Sequence, residues 1–167
     1  MPTTGEFFAL LIVAVVAYYG YRYLYAWRQI ARMQALASYA GIDIGTLQEH
    51  IQRETLRDFG ILVAAKLREH ALLLLRRTER AVDELNDAHE LTADEVTEFS
   101  LLIVGTHQSL LRSEGLHTTG LICHEEKLGS PVAQDTLRPL AREWSLHHGA
   151  MKELEYFVGT YLRGGGR

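Results

Sequence analysis

Residues 7–21, FFALLIVAVVAYYGY, form an uncharged apolar run that no other part of the chain approaches. An α-helix needs about 20 mostly apolar residues to cross a bilayer. Residues 7–25 supply 19 positions, and Arg22 is their one charge. Its side chain is long enough to snorkel toward headgroups. Tyr23, Tyr25 and Trp27 crowd the same end, with Tyr18, Tyr19 and Tyr21 just before them, and such rings favour the membrane–water interface. The pattern predicts a single N-terminal transmembrane helix over residues 7–27, with Arg22, Tyr23, Tyr25, Trp27 and Arg28 as interfacial anchors.

Charge sets the expected direction. Arg22, Arg28 and Arg32 follow the run, whereas MPTTGE before it carries only Glu6. Cytoplasmic flanks are enriched in Lys and Arg. Residues 1–6 are therefore expected outside and the long C-terminal part in the cytoplasm of a bacterial inner membrane. A cleaved signal peptide fits less well, because the segment before the run is not basic and bulky tyrosines follow it. Ala9, Val13, Ala17 and Gly20 recur at helical spacing as a mostly small face, the kind that lets transmembrane helices approach closely.

Outside this segment the chain reads as one compact domain. Residues 41–130 hold nine basic and sixteen acidic side chains, a balance of −7. No basic stripe interrupts them, which argues against nucleic acid as a partner. Cys123 is the one cysteine; a lone thiol forms no internal disulfide and fits a reducing compartment.

Strand signals are poor and helix signals are frequent, so the expected fold is all-α: the membrane helix followed by a small cytoplasmic helical bundle. A stem and turn should occupy residues 28–45, the bundle residues 46–163, and a flexible tail residues 164–167. Thr46 and Glu49 have capping-box spacing, as do Thr92 and Glu95, the latter framed by a Leu91–Val96 staple. The first box predicts a helix from Leu47 to about Ala88, bent near Gly60, with residues 61–75 buried on most sides. The second opens a helix that stops near Gly115. Ser130-Pro131 predicts another start, which Pro139 kinks or restarts. Leu140, Trp144, His147, Met151, Leu154, Val158 and Tyr161 then form an apolar seam.

The residues that bear chemistry form no strong signature. Glu114 and His117 have the ExxH spacing of di-iron bundles, but there is no second ExxH. His117, Cys123, His124 and His147 are metal candidates by ligand type alone. His147 lies on the apolar seam of the last helix and His70 amid the most apolar stretch of the second, and in such places a histidine is most often a core residue hydrogen-bonded to a neighbour. Arg76, Arg77 and Arg80, interleaved with Glu79, Asp83 and Glu84, read as a salt-bridged exposed face. Nucleophile elbows and phosphate-binding glycine loops are absent from the sequence.

These observations favour a non-enzymatic single-pass subunit without a cofactor. It would scaffold or stabilise a larger membrane assembly, with the lipid bilayer and other membrane protein subunits as partners. A membrane-tethered sensor or regulator, switching on metal, ligand or pH, is the alternative, and a metal-dependent enzyme stands behind both.

Overall fold

The structure is a computed structural model that describes residues 4–112 and 127–162, with side chains described over residues 11–111 and 127–160. Among the described residues five α-helices follow one another: α1 (Thr4–Tyr39), α2 (Ile44–Gln52), α3 (Leu56–Asp87), α4 (Ala93–Arg112) and α5 (Pro131–Phe157). A π-helical turn, Val158–Leu162, extends α5. The described residues contain no strand, so the fold is an all-helical bundle.

Three helices end in the same way. Ile42 N–H donates to the Ala37 carbonyl at 2.8 Å and Gly41 N–H to the Ser38 carbonyl at 3.1 Å. This is a Schellman closure, and it puts its C′ residue in the left-handed region. Gly41 sits there with φ 68°. The same pair of bonds closes α2 around Glu54 (φ 58°) and α3 around His89 (φ 60°).

The Glu54 closure divides the long second helix expected from Leu47 to Ala88. The break falls at residues 53–55, and Gly60 lies buried inside α3. Two local bonds fix the break. Thr55 N–H reaches the His50 carbonyl at 2.9 Å, and the Thr55 hydroxyl meets His50 Nδ1 at 2.8 Å. The Thr46–Glu49 box does not open α2 either. Asp43 is the N-cap, its carboxylate accepting from Gly45 N–H at 2.7 Å, so the helix starts before Thr46.

The Thr92–Glu95 box forms as expected. Glu95 accepts from Thr92 N–H at 2.7 Å, and Thr92 Oγ1 accepts from Glu95 N–H at 3.3 Å. The Glu95 carboxylate also accepts from the Thr92 hydroxyl and from Gly129 N–H. These bonds hold its carboxyl below the usual carboxylate range, with the Thr92 backbone bond the largest cause. Glu95→Ala should cost about 1 kcal/mol, the usual worth of a cap, read as a lower urea midpoint at neutral pH. The difference from the parent should shrink as acid protonates Glu95 in the parent.

α5 starts at Ser130, whose hydroxyl accepts from Ala133 N–H, and Pro131 takes the first turn. Ser130 also donates to the Glu90 carboxylate. The helix neither stops nor restarts at Pro139, which lies on its exposed face.

α3 and α5 are antiparallel. Arg77 meets Glu143, Thr78 meets Trp144, His70 faces His147 and Phe59 meets Phe157. Two apolar cores lie along this pair. The first joins Met33, Leu36 and Ala37 of α1, with Ala40 just past its end, to Leu47, to Phe59, Val63 and Leu67, and to Ala150, Met151, Leu154 and Phe157. The second joins Ala71, Leu74, Leu75, Val82 and Leu85 to Phe99 and Leu110 of α4 and to Ala133, Leu137, Leu140 and Trp144. Residues 61–75 bury one stripe, not most sides: Ile61 is 60% and Leu73 54% exposed.

α1 buries side chains in the bundle only over its last third. Gln29, Met33, Leu36 and Ala37 are buried, as is Ala40 just past its end, but every residue from 11 to 28 is exposed. Among the described residues no helix is long and apolar enough to cross a membrane. The span expected over residues 7–27 is thus unsupported there. Tyrosines and Arg22 crowd residues 18–25.

Candidate functional site

The C-terminal end of α1 lies against α5. Arg32 pairs with Glu153 at 3.0 Å, and its guanidinium stands 4.5 Å from the centre of the Tyr156 ring. Gln29 Nε2 donates to Tyr156 Oη at 3.1 Å, and Tyr25 Oη lies 3.4 Å from the same oxygen. Below these polar contacts a cleft of about 310 Å³ opens between α1 and α5, walled by Ala35, Leu36, Leu146 and Ala150, with Tyr39, Arg32 and Glu153 at its polar edge.

Behind Tyr39 is a layer of four rings drawn from three helices. Tyr39 stacks on His70 with centroids 5.3 Å apart and planes 21° apart. His147 meets His70 edge-on at 5.8 Å and Trp144 at 5.9 Å, and lies 6.3 Å from Tyr39. Trp144 Nε1 donates to Thr78 Oγ1 at 3.0 Å, and that hydroxyl donates to the Leu74 carbonyl at 2.9 Å. The indole is therefore a satisfied buried donor.

His147 is the exception. It is fully buried, and neither ring nitrogen has a hydrogen-bond partner. The seam position read from the sequence is correct, but the expected hydrogen bond to a neighbour is not there. The cause is its company: the rings touching it present faces and edges instead of acceptors. Burial pushes its pKa down to about 4, helped by the nearby imidazoles of His70 and His148. At neutral pH His147 is therefore uncharged. Burial, with the Glu143 carboxylate second, raises the Tyr39 phenol above its ordinary value.

The other expected site residues scatter. His117, Cys123 and His124 lie outside the described residues. Among the described residues no group of three or more His, Cys, Asp or Glu is placed to hold a metal ion. Val13, Ala17 and Gly20 are exposed, as are Arg22, Tyr23, Tyr25, Trp27 and Arg28; the Ala9 side chain is not described. Nothing lies within 4 Å of a Cβ built on Gly20. Arg22 sits 5.9 Å over the Tyr18 ring. Arg77 pairs across helices with Glu143 through two bonds of 2.5 and 3.0 Å, not with the acidic residues of its own helix. Reading the sequence missed Tyr39 and the facing of His70 and His147. Both histidines stand at seam positions, but only the antiparallel register of α3 and α5 brings them together.

Fold and site together define an all-helical, two-core bundle with a long first helix that projects from it and a histidine layer between the cores. Comparison of the chain with protein-family models, with curated proteins and with solved structures returned no match.

Proposed function

We propose that the chain is a non-enzymatic, membrane-attached subunit. The N-terminal half of α1 is its embedded segment, and its helical bundle is a cytoplasmic docking domain for other membrane protein subunits. The observation that carries this reading is the bare surface of α1. Ile12, Val13, Val16, Tyr19, Tyr23 and Leu24 are each more than half exposed, and the exposure runs all round the helix. A helix apolar on every side needs apolar surroundings, and leaving that area in water costs roughly 25 cal/mol per Å². Lipid satisfies all sides at once. Arg22, Arg28 and Arg32 on the bundle side support a cytoplasmic bundle. The non-enzymatic part rests on the polar groups at the α1–α5 cleft, where Arg32 and Glu153 neutralise each other and His147, behind Tyr39, is buried from solvent.

The test uses the full chain with Val13→Glu and Val16→Glu together. Both positions are exposed, so the bundle is untouched. A charge near the bilayer centre costs about 2.5–3.5 kcal/mol on insertion scales. The parent chain should remain with membranes after carbonate washing, and the double variant should move to the soluble fraction. A parent chain that washes off as a monomer would overturn the membrane reading. A reporter fused after Arg167 should be active in the cytoplasm.

A further inference from the structure

The boundary between the two cores is where packing and chemistry conflict. α3 and α5 pass through both cores, and at their boundary the aliphatic packing gives way to His70 and His147. The end of α1 reaches the same level with Tyr39. We infer that this layer is an acid-operated latch: proton uptake by the buried, unpartnered His147 releases the C-terminal end of α1 from α3 and α5, while the second core stays formed.

The neutral rings pack as flat aromatic surfaces. One proton changes that, because a buried charge without an acceptor is costly. The ionisable groups facing His147 offer no relief. From α1 there is the Tyr39 phenol, and from α3 there is His70. On α5 itself, His148 is another base, and the Glu143 carboxylate is held in a two-bond fork by Arg77 of α3. The charge must therefore reach water, and it does so where the layer is weakest.

The weakest side is α1. To the first core it contributes Met33, Leu36 and Ala37, with Ala40 just past its end, and to the second core nothing. Its polar ties, Arg32–Glu153 and Gln29–Tyr156, lie near the surface, where an exposed ion pair is worth about 0.2–1 kcal/mol. The α3–α5 side is held by the Trp144–Thr78 bond, the Arg77–Glu143 fork and the whole second core. Local opening follows the region with the least burial.

Distances between paired spin labels on the full chain, with Cys123→Ser, test the latch. One pair sits at Ser38→Cys and Ser145→Cys, across α1 and α5; a control pair sits at Glu79→Cys and Arg142→Cys, across α3 and α5. All four positions are exposed. On going from pH 7.5 to 4, the α1–α5 distance should lengthen, with a midpoint between the ordinary imidazole value of about 6.5 and the value of about 4 set by burial. The control distance should hold. His147→Leu, or His147→Phe should that variant fail to fold, should abolish the lengthening. An α1–α5 distance constant with pH, lengthening that survives loss of His147, or both pairs separating together would each overturn the latch.

Discussion

Trp144→Ala should cost about 3–5 kcal/mol, the usual range for truncating a large buried aromatic. Trp144 is fully buried and belongs to the second core with Leu74, Leu137 and Leu140. Its removal leaves a void that helices fixed on both sides cannot close. Domains of this size have total stabilities of about 5–15 kcal/mol, so urea unfolding followed by circular dichroism should show a large fall in midpoint. Trp144→Phe separates bulk from bonding. It keeps most of the volume but deletes the donor to Thr78, and should cost nearer 1 kcal/mol. Thr78 still donates to the Leu74 carbonyl in that variant. A Trp144→Ala chain within 1 kcal/mol of the parent would mean that the second core is looser than described.

Acid should destabilise the protein through His147 by roughly 3 kcal/mol, taking about 1.4 kcal/mol for each pH unit between the free and buried values. The folded value, about 4, lies below the ordinary 6.5. Between those limits the unfolded chain binds the proton and the folded chain does not. Stability is therefore full above pH 6.5, declines as the pH falls, and stops declining from this cause below about 4. His147→Leu should remove that dependence. It should also raise stability at neutral pH by about 1–3 kcal/mol, since it replaces an unsatisfied buried polar ring with an aliphatic side chain of similar size. Urea midpoints at pH 7.5, 5.5 and 4.5 provide the check. A variant less stable than the parent at every pH would show that His147 contributes through packing that leucine cannot supply.

Much of the fold was readable because its signals are local. The Thr92–Glu95 box and Ser130 with Pro131 act within a few residues, and each marks a helix boundary in the structure. The seam from Leu140 to Leu154 repeats at helical spacing and is buried. The division of α2 from α3 was not readable. It turns on Glu54 and on His50 bonding Thr55, and neither residue type announces a left-handed backbone. Asp43 outcompeted Thr46 as a cap because it sits where α1's closure delivers the chain. The histidine layer was half readable. His147 could be assigned to a seam and His70 to an apolar stretch, but their meeting depends on how α3 and α5 are registered, and on Tyr39 arriving from a third helix. The run at residues 7–21 shows the converse: composition made it conspicuous, yet among the described residues no helix is long and apolar enough to cross a membrane.

The unbroken course of α1 gives the molecule a rotational phase. Its 36 residues form one helix, with no joint between the bare segment and the end seated on α5. A helix turns about 100° per residue. Whatever grips residues 11–28 therefore also sets the compass direction in which the bundle faces. One residue added near Arg28 would swing the bundle by roughly a quarter turn, whereas seven would nearly restore it at a greater distance. For this chain the spacing between its two halves is thus a matter of angle as much as of length.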